Sequence, residues 1–172
     1  MVDRFEEFVR RHEDCLLRSC APGHITASAW IVSPDRRRFL LTHHRKLRRW
    51  LQLGGHVDGA QDVEEAALRE AREESGMERF ELFPTGGDVC PLDLDVHRIP
   101  AREAEPEHLH YDVRFLLVAA PGQVLDRSGE SLDLRWFSAA GTSPVSSEES
   151  LLRLARKAAV CLGTVVGPDA AG

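Results

Sequence analysis

Residues 55–77 read Gly-His-Val-Asp-Gly-Ala-Gln-Asp-Val-Glu-Glu-Ala-Ala-Leu-Arg-Glu-Ala-Arg-Glu-Glu-Ser-Gly-Met, and the rest of the chain is expected to be organised around this stretch. It opens on a glycine turn and closes on a second glycine, Gly76. Because positions three and four apart share a face of a helix, Glu70, Glu73 and Glu74 would lie on one arc of its surface. Carboxylates that crowd together repel one another, and a divalent cation would relieve that repulsion. The stretch therefore predicts a helix that presents a metal site.

The ends of this helix are encoded locally. Asp62 is a good N-cap residue because its carboxylate can accept hydrogen bonds from the first free backbone N–H groups. Glu65 stands three residues later, where the reciprocal partner of a capping box would be. Gly76 is well placed to end the helix, since glycine readily adopts the left-handed conformation of a C′ residue. The sequence therefore predicts a helix over residues 63–75.

The composition limits the class of protein. A chain of 172 residues with 42% hydrophobic and 29% charged residues fits one globular domain. No apolar run reaches the length of a membrane span, and the acidic N-terminus lacks the features of a signal peptide, so we expect a cytoplasmic location. A net charge of −6 argues against nucleic-acid binding. The four cysteines form no C-x-x-C pair, which favours reduced thiols over disulfides or a zinc site.

Hydrophobic periodicity around the acidic helix predicts a mixed α+β domain. A loose helical period covers residues from about 3 to 20, and a last helix, capped by Ser146 or Ser147, runs to about Leu162. The predicted strands are 24–32, 38–43, 50–57, 80–83, 89–99, 108–118 and 132–137. The strand at 50–57 is broken by Gly54-Gly55, a pair that indicates positive φ or close approach of another group. Residues 1–166 are thus expected to form one layered domain, followed by a disordered tail at 167–172.

Basic and imidazole side chains near the glycine pair are candidates for substrate contact. The connector before the pair carries Arg45 and Arg49, which either meet a phosphorylated substrate or form a solvated loop face. His56 directly follows the pair, so it either lies near the substrate or makes a structural hydrogen bond.

Polar residues also alternate along two predicted strands, so that each strand presents a polar face. The sets are His108, His110 and Asp112 on one strand and Asp93, Asp95 and His97 on the other. Together they either line a substrate cleft, in which case His108 and His110 bind substrate, or hold a second metal ion. The alternative is that they are hydrogen-bonded polar residues of a strand face.

The central stretch resembles the signature of the Nudix hydrolases: G, five residues, E, seven residues, R-E, an apolar residue, any residue, E-E, any residue, G and an apolar residue. The matching positions are Gly55, Arg69, Glu70, Ala71, Glu73, Glu74, Gly76 and Met77. Gln61 stands where the family has glutamate. The resemblance implies the α/β/α sandwich of that family, with a mixed β-sheet.

The resemblance also implies an activity, which is metal-dependent hydrolysis of a diphosphate linkage in a nucleoside diphosphate derivative or a related phosphorylated metabolite. Glu73 and Glu74 would be ligands of Mg²⁺, with Mn²⁺ as the alternative, and Glu70 would be a further ligand or the base that activates water. Gly55 would offer its backbone carbonyl to the metal, and Arg69 would orient the glutamates. Oxygen ligands of this kind suit Mg²⁺, which can activate water and neutralise phosphate charge.

The glutamine at position 61 changes one contact within this scheme. An amide can still accept a hydrogen bond from Arg69, but it loses the ionic part of the interaction. Because Glu70, Glu73 and Glu74 are intact, we expect activity to survive.

Two other functions of the same fold are alternatives. An isoprenyl diphosphate isomerase would need a catalytic cysteine that faces a glutamate, and no cysteine here has such a context. A non-catalytic nucleotide-binding module would usually have lost the box carboxylates, which this chain keeps. The expected partner is a small phosphorylated molecule, without membrane or nucleic acid, and the family makes a homodimer a further expectation.

Overall fold

A computed structural model describes residues 1–60, 62–85, 90–102, 105–129, 131–139 and 148–163. Within these ranges the chain forms three helices and eight strands. The helices are α1 (Val2–Arg11), α2 (Val63–Ser75) and α3 (Glu149–Leu162). The strands are β1 (Gly23–Val32), β2 (Arg38–His44), β3 (Arg49–Leu51), β4 (Leu53–His56), β5 (Phe80–Leu82), β6 (Asp93–Ile99), β7 (His108–Ala119) and β8 (Ser131–Ser138).

The strands form one mixed sheet around a parallel pair, β1 and β7. Their register runs from Gly23 opposite Leu109 to Val32 opposite Val118. The other edge of β1 is shared, because β4 pairs with its first half and β2 with its last residues. In the same way β6 and β5 pair with successive parts of β7, while β3 and β8 flank β2. Every residue of β1 is buried, as expected for a central strand covered on both faces.

Helices cover both faces of the sheet, so the predicted α/β/α sandwich is confirmed. On one face Phe5 and Phe8 of α1 and Ala67 of α2 join a cluster that contains Ile25 and Tyr111. On the opposite face α3 contributes to a second cluster, and its members include Trp30, Val32, Leu116, Leu151 and Leu154. The sheet is therefore the middle layer of three, as sheets with two apolar faces require. No helix in the described part of the chain combines the length and the apolar character needed to cross a bilayer.

Helix α2 has the bounds and caps that the sequence predicts, with one correction. Asp62 accepts hydrogen bonds from the backbone N–H groups of Glu64 and Glu65 at 2.9 and 3.1 Å. Gly76 ends the helix in the left-handed conformation, with φ of 69°. The side chain of Glu65 does not serve as the expected capping-box partner, because it pairs at 2.8 Å with Arg72, two turns later on the same face of the helix.

The first helix is shorter than the predicted range of 3–20. It ends at Arg11, and His12 is already extended, with φ of −130° and ψ of 96°. Residues 12–20 form successive turns instead, which bury Cys15 and Cys20. The carbonyl of Cys15 accepts a 2.7 Å bond from the backbone of Ile25, so this segment is tied to the start of β1 and cannot continue as a helix.

Other element boundaries also differ from the prediction. The strand at 50–57 is interrupted at Gln52 rather than at Gly54-Gly55, because Gln52 turns its side chain to Asp112 while the glycines pair with β1 inside β4. The strand expected at 89–99 begins at Asp93. Helix α3 begins at Glu149 after Glu148, which makes no side-chain cap. Val89, the capping candidates Ser146 and Ser147, and the tail at 167–172 lie outside the described residues.

Candidate active site

The carboxylates of α2 lie against the glycine pair of β4. A Cβ built on Gly55 would be 2.5 Å from Glu70 Oε2 and 2.6 Å from its Cδ, so a side chain at position 55 would displace the Glu70 carboxylate. The backbone N–H of Gly54 donates to Glu74 Oε2 at 3.3 Å. Gly54 has φ of 153°, and a Cβ there would lie 2.5 Å from the carbonyl oxygen of Ala27. The glycines therefore let the acidic face of the helix approach the strand backbone.

Arg69 connects the helix to the end of the same strand. Its guanidinium donates to the carbonyl oxygen of His56 at 2.6 Å and pairs with Glu70 at 3.0 Å. A longer contact of 3.7 Å joins it to Glu73. The expected orienting role of Arg69 thus has partners on both elements, while Gln61, its expected partner, lies outside the described residues.

The three carboxylates differ in their exposure to solvent. Glu74 is buried at 8% exposure, the Glu70 side chain is 13% exposed and the Glu73 side chain is 59% exposed. The two inner carboxylates are held in place, Glu74 by the N–H of Gly54 and Glu70 by the guanidinium of Arg69. Oxygen donors of this kind can hold a hard divalent cation such as Mg²⁺.

A second polar cluster, the histidine cluster, consists of His24, His56, His97, His108 and His110. The parallel pairing of β1 and β7 places His24 opposite His110, and the antiparallel pairing of β6 and β7 places His97 on the other side of His110. Ring centroids of neighbouring members are 4.7 to 5.4 Å apart. Of the histidines expected to bind substrate, the structure thus brings together His56, His108 and His110.

His24 is the member of this cluster that sequence reasoning missed. Its signal was its place at the head of the predicted strand 24–32, two and four residues before Thr26 and Ser28 on the same strand face. Burial, followed by the nearby His56, lowers the pKa of His24 to about 4. Burial and then His24 lower the pKa of His110 to about 2, and burial also lowers the pKa of His56. These three imidazoles are therefore neutral at pH 7.

The carboxylates that were expected to share this face are committed to ion pairs. Asp112 is 1% exposed, pairs with Arg114 at 2.7 Å and accepts hydrogen bonds from Thr26 and Ser28 at 3.0 and 2.8 Å. The ion pair and these hydrogen bonds compensate the buried negative charge of Asp112, as a buried charge requires.

Asp93 and Asp95 belong to the same ionic network. Arg114 contacts both, at 3.4 and 2.9 Å, and Arg153 of α3 contacts both at 2.8 and 2.7 Å. Lys157 adds a 2.7 Å bond to Asp93. For these carboxylates, the alternative of hydrogen-bonded strand-face residues is the correct one, and they anchor α3 to the sheet.

Arg45 lies in the turn between β2 and β3, and Arg49 is the first residue of β3. Arg45 donates to the carbonyl oxygen of Gly129 at 2.9 Å, and Arg49 forms an ion pair with Glu148. Their contacts join this hairpin to the segments that precede β8 and α3. Neither residue belongs to the histidine cluster.

The protein is an α/β/α sandwich in which an acidic helix packs against a strand that contains two glycines. The NUDIX domain family matches residues 22–150. Among curated proteins, no sequence matches the chain. The chain belongs to the NUDIX domain family and is an enzyme of the Nudix pyrophosphohydrolase type.

Solved structures agree with this assignment. A Nudix-family hydrolase from Clostridium perfringens is similar over 81% of this chain and 97% of its own, with 25% identity and a TM-score of 0.62. An Ap4A hydrolase from C. elegans is similar over the same shares, with 19% identity and a TM-score of 0.64. The E. coli dihydroneopterin triphosphate pyrophosphohydrolase is similar over 77% of this chain and 92% of its own, with 15% identity and a TM-score of 0.58. The last two show a shared fold.

Proposed function

We propose that this enzyme hydrolyses a diphosphate linkage in a nucleoside diphosphate derivative or a related phosphorylated metabolite by attack of water, with Mg²⁺ or Mn²⁺ as cofactor. The observation that carries the proposal is the docking of the α2 carboxylates on the glycine pair of β4. Gly55 approaches Glu70 so closely that a side chain at position 55 would displace this carboxylate, and Gly54 donates its N–H to Glu74. This close approach brings the backbone of β4 to the α2 carboxylates, so that carboxylate and carbonyl oxygens, the ligands that Mg²⁺ prefers, could share one cation.

The residues of this site fit a hard divalent cation. Glu70, Glu73, Glu74 and the carbonyl of Gly55 would hold it, because all of them offer oxygen. When bound, the cation would neutralise phosphate charge and lower the pKa of a coordinated water. Arg69 contacts Glu70 at 3.0 Å and Glu73 at 3.7 Å, so the cation would join a site that already includes one guanidinium.

The protein's own groups would then act in distinct ways. Arg69 would fix the orientation of Glu70 through its bond to the carbonyl of His56. Glu70, largely withdrawn from solvent, would accept the proton of the attacking water. Glu74 would keep its position through the N–H of Gly54, and Glu73 would stay accessible to the cation.

We propose a class of substrate and not a particular molecule. Similar structures carry the names Ap4A hydrolase and dihydroneopterin triphosphate pyrophosphohydrolase. One fold is therefore associated with phosphorylated molecules whose organic parts differ chemically. Their shared feature is a chain of phosphate groups, which is the part that a cation held by the α2 carboxylates would recognise. Arg45, Arg49 and His56 are our candidates for further contacts with this chain.

The test is a panel of nucleoside diphosphate and triphosphate derivatives incubated with the full chain and Mg²⁺ or Mn²⁺. We expect metal-dependent release of two phosphate-containing products from at least one member, with ¹⁸O from labelled water in one product. Tight binding without turnover at either metal would overturn the proposal and indicate a binding module.

The isomerase alternative is disfavoured by the cysteines. Burial raises the pKa of Cys20 to about 11 and also raises the pKa of Cys15, which keeps both as inert thiols at neutral pH. Conversion of an isoprenyl diphosphate with proton exchange from solvent, and no hydrolysis of the panel, would reverse this assignment.

A further inference from the structure

Three imidazoles of the histidine cluster have an arrangement that the hydrolysis does not use. The ring nitrogens of His24, His108 and His110 each provide one atom such that all three atoms lie within 4.8 Å of one another. The strands impose this arrangement, because His24 and His110 are direct partners across β1 and β7. His108 precedes His110 by two positions and so lies on the same face of β7.

His24 has no hydrogen-bond partner among the described residues. Its side chain is 3% exposed, and both of its ring nitrogens are buried and unbonded. Buried polar groups in proteins nearly always have a partner, since an unsatisfied one carries the full cost of its desolvation. Three other imidazole rings surround His24, at centroid distances of 4.7 to 5.0 Å. A partner for His24 in this position would therefore be one that several imidazoles can bind at the same time.

The spacing within the pair His108 and His110 matches a metal site. Their Nε2 atoms are 3.3 Å apart. Two nitrogens bound at 2.0–2.1 Å to one tetrahedral Zn²⁺ ion are separated by about 3.3–3.4 Å. A hydrogen bond between the two rings would explain the same distance, but it would leave both nitrogens of His24 unpaired.

The orientation of His108 also favours a metal. Its Nδ1 lies 2.9 Å from the carbonyl oxygen of Pro106, which can only accept a hydrogen bond. Nδ1 therefore carries the proton, and the lone pair is on Nε2, which faces His110. A backbone carbonyl that fixes the outer nitrogen is the common second partner of metal-binding histidines.

We propose that His24, His108 and His110 form a binding site for Zn²⁺, or for a related first-row divalent cation, separate from the carboxylate site of α2. Imidazole nitrogens suit such cations, whereas Mg²⁺ prefers oxygen. Three protein ligands leave a fourth position for water or an anionic group, as in catalytic zinc sites. His108 and His110 are thereby assigned to a metal rather than to direct contact with the substrate.

The test uses the full chain freed of metal by a chelator and titrated with Co²⁺ and Zn²⁺ in excess Mg²⁺, which occupies the carboxylates. We expect one equivalent of Co²⁺ to bind with the visible absorption of a tetrahedral site and to be displaced by Zn²⁺. His108→Ala and His24→Gln should each weaken Co²⁺ binding by about 100-fold. Loss of the hydrogen-bond partner of a metal ligand costs about 10–100-fold, and loss of the ligand itself should cost at least the upper value. His43→Gln, which changes a histidine stacked on Trp50 outside the cluster, should bind like the wild type.

A second measurement needs no variant, so it stands even where a substitution disturbs folding. In long-range ¹H–¹⁵N spectra of the wild-type protein, Zn²⁺ should shift the ring nitrogens of His24, His108 and His110 together, and those of His43 should not move. Absence of saturable binding, equal binding by His108→Ala, or shifts confined to other histidines would overturn the proposal. A water molecule in place of the ion between His24, His108 and His110 in the Zn²⁺-treated protein would overturn it as well.

Discussion

The α-carbon of Gly55 and the carboxylate of Glu70 approach so closely that a Cβ on residue 55 would lie 2.5 Å from Glu70 Oε2. This contact joins two elements that are separate in the sequence, the last residues of β4 and the middle of α2. Together with the bond from Gly54 N–H to Glu74, it makes the glycine pair and the acidic helix one structural unit. The following predictions depend on this unit and on the ionic network beneath α3.

Replacement of Gly55 by alanine should lower kcat by about 100-fold, since a displacement of about 1 Å in a catalytic group can cost that much. The new methyl group would push Glu70 from its position against β4. Steady-state kinetics with the best substrate of the panel measure the effect. Gly129→Ala is the matched control, because a Cβ there meets open space. Wild-type kcat in Gly55→Ala would contradict the proposed geometry.

Glu73→Gln and Glu74→Gln should both raise the Mg²⁺ concentration needed for half-maximal activity by about 10–100-fold or more, by loss of a charged ligand. The free energy of unfolding provides a second test, for the Glu73 variant. The exposed Glu73 variant should unfold within about 0.5 kcal/mol of the wild type, as surface substitutions usually do. Mg²⁺ titrations of activity and urea unfolding provide the two readings. Glu64→Gln on the same helix is the control, and unchanged Mg²⁺ dependence in both box variants would exclude these residues as ligands.

Arg69→Lys should reduce kcat more than it raises KM, because lysine keeps the charge but cannot contact the His56 carbonyl and Glu70 through a planar fork. We expect a loss of about tenfold or more, of the order caused by removal of a residue that orients a metal ligand. The separate measurement of kcat and KM checks this. A variant with unchanged kcat and a raised KM would show instead that Arg69 contacts the substrate.

Arg114→Met should destabilise the protein by about 3–5 kcal/mol, the cost of removing one partner from a buried ion pair. Arg114 is 3% exposed and contacts Asp93, Asp95 and Asp112, which would stay buried with fewer partners. Arg135→Met is the control, because its pair with Asp133 is largely exposed and should contribute about 0–1 kcal/mol. Equal losses in the two variants, measured by urea unfolding, would contradict the role of the network.

The same network should make stability fall in acid. The hydrogen bond from His97 is the largest of the effects that lower the pKa of Asp95. Burial opposes this shift, and Arg114 and Arg153 add to it. Burial raises the pKa of Asp93, but hydrogen bonds from Arg153 and Lys157 outweigh it and lower the pKa overall.

Since both folded pKa values lie below the unfolded value of about 3.9, their stabilisation is complete above that pH and is lost as the pH falls toward the folded values. The slope is at most about 1.4 kcal/mol per pH unit for each carboxylate. Urea unfolding at several pH values below 5 should show a shallower slope for Arg153→Met than for the wild type. The contribution of the buried histidines is common to both proteins and cancels, so identical slopes would refute the assignment.

Much of the candidate site could be predicted because it is encoded over short distances. The bounds of α2 follow from the cap at Asp62 and the glycine at 76, both of which act within one turn of the helix. The shared face of Glu70, Glu73 and Glu74 follows from helical geometry alone. The end of α1 could not be predicted in the same way, because it depends on the bond between Cys15 and Ile25 of another element.

Local patterns in the chain were enough to predict the acidic helix, the glycine pair before it and the family to which the chain belongs. Which polar strand residues meet depended on the pairing of strands that are distant in the chain. Thr26 and Asp112, 86 positions apart, are brought together by the parallel pairing of β1 and β7, and the same register sets His24 beside His110. Periodicity gives the face on which a side chain lies, but strand order and register decide its neighbours. For that reason Asp112 joined an ionic network and His24 joined the histidine cluster.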